Sequence, residues 1–388
     1  MDDEETRGWE ELGCMNTKYS ADVVEFCPVP SWQSCFVVGT YQLQQETRER
    51  VGCLWSLEVD AADDGEEKGG EGETEPVEGF SKENPESGQI VPRQFVPTNG
   101  TLDAKWNHHC MDGKAVLAAA NARSELALYA LQEDKTLALL HSQTLPSLQP
   151  EEAVPSALCL SLDWNNRLSA TTATSSIATS HSDHRISIWD CEVATGQLQL
   201  SETWEAHEHE AWIVAWNYWD TSVLYSGGDD CTFKGWDRRV SKEQPTFTKR
   251  YDVGVTTIQT HPLREHCIAV GSYDENISIW DARKIGRRPL HQHNVGGGVW
   301  RIKWHPSDAS LMAVACMHAD FQIVRFSPSS ASPMETVLTY AGKHRQGALA
   351  YGIDWSHSPP SSSVLGSCSF YDRCFTLWKM EEPSETLC

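Results

Sequence analysis

Runs of β-forming residues, broken by Gly, Asp, Asn and Pro, recur along the chain in groups of three. One group reads AWIVAWNYW, SVLYSGGDD and CTFKGWD. The following groups read VTTIQTHP, CIAVGSYDEN and ISIWDAR, then GVWRIKWHP, LMAVACMHAD and FQIVRF, then YGIDWS, SVLGSCSFYD and RCFTLWKM. Such runs predict short antiparallel strands joined by tight turns. A fourth strand fits the segment after each group, such as PTFTKRY or METVLTY. Working backwards, ALCLSLDWN, SIATSHSDH and RISIWD make another group. LDAKWN, AVLAAANAR and ELALYAL, and before them VVEFCP, CFVVGTYQ and GCLWSLE, make two degenerate ones.

The spacing of the groups settles the architecture. Asp183, Asp230, Asp274, Asp320 and Asp372 each precede an aromatic anchor by six residues: Trp189, Trp236, Trp280, Phe326 and Trp378. Those anchors are 47, 44, 46 and 52 residues apart, and three of them read Trp-Asp. A period of that length ending in Trp-Asp is the signature of a WD-repeat blade. With Tyr129 and Trp55 as degenerate anchors, the chain is all-β: a seven-bladed WD-repeat β-propeller over residues 14–380. Only EEPSETLC follows the last blade, leaving residues 381–388 as a tail. The outer strand of blade seven must therefore come from the N-terminus, from CMNTKYS before Ala21, since an unpaired edge invites aggregation.

Composition modifies this picture at two places. Of the 388 residues, 60–95 hold eleven acids, two lysines and almost no large apolar groups. Such a segment buries too little surface to fold and reads as a disordered acidic insertion within blade one. Residues 1–13 read as an acidic N-terminal tail. These two segments carry about half of the net charge of −24. The remaining propeller is still acidic, which argues against binding nucleic acid through phosphates. The chain lacks a run of 18 apolar residues, and its N-terminus is acidic where a signal peptide is basic. A protein that neither spans a membrane nor is secreted is expected. Thirteen scattered cysteines fit buried thiols in a reducing compartment.

Most of the conspicuous aspartates are structural, because the turn Asp of such a blade hydrogen-bonds within it. The residues just before them, Ser182, Asp229, Tyr273, Ala319 and Tyr371, have no repeat duty and reach the same rim. Packing and ligand binding both account for two tyrosines and an extra carboxylate there. Trp212, Trp300 and Tyr351 each stand four residues before an inner-strand tryptophan (Trp216, Trp304, Trp355) and so share one level in blades four, six and seven. They stack between blades or line a site beside the loops AHEHE and VGGG. His207 sits where blades often carry a His bonded to the turn Asp. His318, equivalent to His181 of blade three, has no repeat duty, and a neutral imidazole suits proton transfer near neutral pH. Neither a G-x-S-x-G elbow, a P-loop nor H-E-x-x-H is present. The two H-x-H pairs, His207 with His209 and His291 with His293, lack further metal ligands. Cys316 and Cys368 read as core thiols. On motifs alone this is a binding protein.

AHEHEAWIVAWNYW, YSGGDD, GWDRRV, REHCIAVGSYDE, GGGVWRIKWHP, ACMH and SCSFYD, together with the opening YSADVVEFCP and VVGTYQL, resemble the diphthine methyl ester hydrolase family. The resemblance covers most of the propeller, and the acidic insertion and second blade match little. It implies a cytoplasmic, monomeric carboxylic ester hydrolase of diphthamide biosynthesis, needing no cofactor or metal. Its protein substrate would be translation elongation factor 2, on which a modified histidine ends in a trimethylammonium and a methyl ester. In the scheme favoured at this level, His318 is general base on a water. Asp229 or Glu210 orients the imidazole or holds the cation, and backbone amides of Gly296, Gly297 and Gly298 hold the oxyanion. Trp212, Tyr273, Trp300 and Tyr371 would bind the trimethylammonium. A covalent route through Cys316, Cys368 or Ser369 is the variant scheme. The rival reading is a non-enzymatic adaptor, because Trp236–Arg239 and Trp280–Arg283 fit the WDxR pattern of substrate receptors for cullin-type ubiquitin ligases.

Overall fold

The computed structural model describes residues 8–60, 88–148, 157–170, 173–342, 344–345, 347–358 and 363–381. These residues form seven antiparallel sheets of four strands each, the seven-bladed propeller predicted from the repeat. Within blades one to six the strands follow chain order from the channel outward. Blade one consists of Ala21–Phe26, Cys35–Leu43, Arg50–Val59 and Ile90–Thr98. Blade four consists of Ile213–Trp216, Val223–Gly227, Thr232–Asp237 and Phe247–Arg250. Among the described residues no helix is long and apolar enough to cross a membrane.

Blade seven is completed from the other end of the chain. Its strands Ala350–Trp355, Val364–Ser369 and Cys374–Met380 are joined by Trp9–Asn16, which runs antiparallel to Cys374–Met380 with Trp9 opposite Met380 and Asn16 opposite Cys374. The closing strand thus begins earlier than CMNTKYS, and residues 9–13, expected as acidic tail, belong to the sheet. Trp9 packs edge-on against Tyr340 at 4.6 Å, which explains why an acidic stretch is held there. The expected insertion 60–95 is also shorter at its far end. Ile90–Thr98 pairs along Arg50–Val59, and the Asp60 N–H donates to the Gln89 carbonyl at 2.8 Å. Ile90, Phe95 and Val96 pack against the blade's core and outweigh the neighbouring charge. Residues 61–87 of the insertion, and 382–388 of the C-terminal tail, lie outside the described residues.

Aromatic residues do two distinct jobs. The third-strand anchors tie a blade to itself: Trp189 Nε1 donates to Thr179 Oγ1, Trp236 Nε1 to Ser226 Oγ and Trp378 Nε1 to Ser367 Oγ, at 2.9, 2.8 and 3.1 Å. The inner-strand tryptophans tie blade to blade. Trp106, Trp164, Trp216, Trp304 and Trp355 each donate to the carbonyl one residue before the equivalent position of the preceding blade, namely Glu25, Lys105, Asp163, Gln259 and Lys303. At the closure, where Phe26 has no indole N–H, the backbone N–H of Phe26 donates to Asp354 Oδ2 at 2.8 Å. A buried indole needs a hydrogen-bond acceptor, and this repeat provides one at each such interface.

Inner-strand residues one and three positions before these anchors carry a buried ionic network. Arg301 Nη1 meets Asp103 Oδ1 at 2.9 Å, and Lys105 Nζ meets Asp103 Oδ2 at 3.0 Å and Glu25 at 4.0 Å. Lys303 pairs with Glu25 and lies 3.7 Å from Asp354. Four blades (one, two, six and seven) therefore exchange charge across their inner strands, where side chains alternate between neighbouring blade and centre.

Candidate active site

Five inner strands carry a register irregularity one residue from their start, at Asp22, Leu102, Leu160, Thr256 and Tyr351. Such bulges re-aim a side chain and often stand beside functional sites. In blades four and six the equivalent residues, Trp212 and Trp300, immediately precede the inner strand. All seven stand four residues before their inner anchor and form one ring. The ring has three aromatics and a single carboxylate, that of Asp22. A cavity of about 150 Å³ opens at this ring, lined by Asp22, Leu102, Leu160, Trp212, Thr256, Trp300 and, beyond the ring, by Tyr41, Arg50 and Arg301.

The aromatic wall is continuous. Trp212 meets Trp300 edge to face at 5.5 Å, and Trp300 stacks on Tyr351 at 4.5 Å. Tyr351 continues to Phe370 at 4.9 Å, and Phe370 to Tyr41 at 5.0 Å and Tyr371 at 5.2 Å. Tyr273 approaches Trp300 from the rim at 6.2 Å. Trp212 Nε1 donates to Asp229 Oδ1 at 2.7 Å, which fixes the indole plane. Rings held this way present π-faces and a carboxylate to one space, a combination that suits a desolvated organic cation.

Asp22 is only 3% exposed. Burial pushes its carboxyl up to about 7, Arg301 partly opposing the rise and Asp103 adding to it. Its Oδ1, the Trp300 Nε1 and the Arg301 Nε are buried and form no hydrogen bond of normal geometry with any described residue. The Trp300 N–H is nevertheless near enough to favour the charged carboxylate. The cavity thus gathers one acceptor and two donors that lack a hydrogen bond of normal geometry, whereas buried polar groups are ordinarily paired.

The sequence-based site is only partly assembled. Trp212 and Trp300 line the cavity, and Tyr273 stands behind Trp300. Tyr371 is 66% exposed on the rim. Asp229 touches the site through Trp212, and its backbone N–H donates to the Glu210 carbonyl, so the two acids are neighbours without converging on a histidine. His318 is exposed on the turn after Leu311–Ala315 and lies outside the cavity lining. It does not form the expected constellation with Asp229 and Glu210 among the described contacts, because the turn carries it away from the inner-strand ring. Gly296–Gly298 also lie outside that lining, and their absence of side chains has a packing reason. A Cβ on Gly297 would sit 2.1 Å from the Cys316 carbonyl, and one on Gly298 2.7 Å from Met317 Sδ. The Gly296 N–H is already given to Asn294 Oδ1 at 3.0 Å.

The nucleophile alternatives are closed in. Burial pushes the thiols of Cys316 and Cys368 far above the usual range. Ser369 is buried and bonded to His344 Nδ1 at 2.6 Å and to Asp372. That group resembles a catalytic triad but fixes the turn of blade seven, as His207, Asp230, Ser226 and Trp236 do in blade four. His344 went unnoticed in the sequence, although it precedes blade seven as His207 precedes blade four. Asp22 was also missed. Blade one has Phe26 rather than Trp at its inner anchor, but counting four residues back from it gives Asp22.

Neighbouring acids in blade four separate structure from function. Asp230 accepts from His207, the Glu208 N–H and Thr232, at 3.0, 3.1 and 2.6 Å, while Asp229 is exposed. Asp230→Ala is expected to lower stability by about 1–3 kcal/mol, the cost of stranding such partners. Asp229→Ala should melt with the wild type and loosen Trp212. Thermal melts of both variants decide this, and an earlier melt for Asp229→Ala would mean that the two roles are reversed.

Fold and site define a WD-repeat propeller with an aromatic, acid-bearing pocket at one mouth of its channel. The chain belongs to the diphthine methyltransferase family. It is 34% identical over 385 residues to the diphthine methyltransferase homolog of Dictyostelium discoideum, covering 94% of this chain and 98% of the relative. It is 37% identical to diphthine methyltransferase of Mus musculus (89% of this chain, 69% of the relative) and 35% identical to that of Homo sapiens (89% and 75%). No protein-family model matches the chain. Among solved structures, a chain from the crystal structure of a mitotic checkpoint complex superposes with a TM-score of 0.65 over 98% of both chains at 15% identity, a likeness of fold alone.

Proposed function

We propose that this protein hydrolyses the methyl ester of diphthine on translation elongation factor 2, releasing methanol and a free carboxylate. A role in diphthamide biosynthesis follows from family membership. The observation supporting the finer reading is the ring itself: Trp212 and Trp300 line the cavity with a single buried carboxylate, Asp22, and Tyr351 stacks on Trp300 at the same level of the ring. Aromatic faces and acids attract a quaternary ammonium, and a group ending in both the ammonium and the ester would bring the ester beside Asp22. The broad face of a propeller suits a folded protein substrate. Hydrolysis transfers the acyl group to water and releases the methoxy group as methanol, and it requires no cofactor.

The test is incubation with elongation factor 2 carrying methyl-esterified diphthine. Loss of the mass of one CH2 unit from the modified peptide, with methanol in the supernatant, is the expected result. An unchanged mass would sink the reading. A gain of one CH2 on the unesterified form, when a methyl donor is added, would replace it by methyl transfer in the opposite sense.

The WDxR arginines carry less. Arg239 is engaged with Asp237 and Asp220 at 2.8 and 2.9 Å, and Arg283 with Asp281 at 2.6 Å. Both are exposed surface pairs of little energetic weight, and neither lines the cavity.

A further inference from the structure

The hydrolytic reading leaves open which group activates the water. We propose that Asp22 is the general base, taking a proton from the water that attacks the ester carbonyl, while the Trp300 N–H and the Arg301 guanidinium donate to the oxyanion. The proposal rests on the ester-hydrolase reading and on placement. Asp22 Oδ1, Trp300 Nε1 and Arg301 Nε are three buried polar atoms of residues that line the same cavity, none making a hydrogen bond of normal geometry with a described residue, and the Trp300 N–H lies near enough to Asp22 to favour its charged form. One accepts and two donate, the complement that a tetrahedral intermediate requires. The bulge after Ala21 aims Asp22 at the mouth, where other blades carry Leu102, Leu160 or Thr256. Arg301 is fixed by Asp103 at 2.9 Å, so its remaining N–H groups are oriented in advance.

The step balances without an outside reagent. A water oxygen bonds to the carbonyl carbon, its proton moves to Asp22, and the carbonyl π electrons become the oxyanion. Collapse breaks the bond to the methoxy oxygen, which takes the proton from Asp22 and leaves as methanol. The carboxylic acid formed then ionises. Base catalysis needs Asp22 charged, and its environment controls when it is. Facing it are Arg301 of blade six, Asp103 of blade two, Tyr351 and Cys368 of blade seven, Tyr41 of blade one and Tyr273 of blade five. Burial dominates this set and raises the carboxyl to about 7. A base matched to neutral pH is the arrangement that general-base catalysis favours.

Asp22→Asn keeps the shape of the side chain and removes the base. Activity on methyl-esterified elongation factor 2 is expected to fall by about 100-fold or more. In the wild type kcat/KM should rise with pH through about 7, following ionisation of Asp22, and that limb should vanish in the variant. Melting curves supply the folding control. The native carboxyl lies above its unfolded value of about 4, so its contribution to wild-type stability is lost as pH rises from about 4 through 7, and Asp22→Asn should not follow that decline. Asp22→Ala, regaining part of the activity when formate is added, is the second variant. Near-wild-type activity in Asp22→Asn with the limb retained overturns the base and leaves the esterase reading intact. So does a folded, inactive Asp22→Ala that formate does not restore. A wild-type protein that releases no methanol overturns both.

Discussion

Asp103→Ala is expected to cost about 3–5 kcal/mol of folding stability at neutral pH, the range found when one partner of a buried ion pair is removed. Asp103 is 0% exposed and accepts from Lys105, Arg301 and the backbone N–H of Leu162. Without it, Lys105 keeps Glu25 at 4.0 Å and the more distant Asp163, and Arg301 keeps the neighbouring Asp22 and Glu25. Domains are stable by about 5–15 kcal/mol, so this is a large fraction of the whole. The dependence on pH gives the effect a signature. Burial alone would raise the Asp103 carboxyl, but Lys105, Arg301 and the Leu162 N–H outweigh it and hold the carboxyl below its ordinary value. Its stabilisation is therefore present above the unfolded pKa of about 4 and lost as pH falls through the native one. The gap between variant and wild type in urea midpoints should shrink correspondingly in acid. A variant within about 1 kcal/mol of the wild type at neutral pH would mean that these charges are worth no more than a surface pair.

Trp212→Ala is expected to lower kcat/KM on methyl-esterified elongation factor 2 by roughly 30-fold, the equivalent of about 2 kcal/mol for a desolvated cation–π contact. The indole is suited to this because its plane is set twice, by its bond to Asp229 and by its edge contact with Trp300. A wall oriented before binding loses little freedom when the ligand arrives. The comparison is a substrate that keeps the methyl ester but lacks the quaternary methyl groups. Only the authentic substrate can use the cage, so the loss on the analogue should be much smaller, and Trp212→Phe should recover part of the difference. Equal losses on both substrates would make Trp212 a packing residue of blade four. The cage would then have to be sought among Trp300, Tyr273 and Tyr351.

Repetition made the propeller legible in the chain. Asp230 and Trp236, Asp274 and Trp280, and their counterparts recur in five blades because each must fix the same turn and bury the same anchor, and the aromatic anchor alone survives in blades one and two as Trp55 and Tyr129. Closure by an N-terminal strand followed from the same logic, since blade seven has only three strands of its own. Its register did not, because the strand Trp9–Asn16 is chosen by pairing with Cys374–Met380 and by contact with Tyr340, both remote in sequence. The site divided along the same line. Trp212, Trp300 and Tyr351 shared a repeat position that counting alone revealed, and Asp22 occupied it too, hidden by Phe26 where other blades have an indole. His318 stood out because no repeat rule explained it, but exposure on a turn depends on where the chain goes next. Residue types at fixed spacing determined the sheets, the anchors and the ring. Which polar groups of Asp22, Trp300 and Arg301 are buried and gathered around one cavity depends on contacts between blades far apart in the chain, and only the closed propeller decided it.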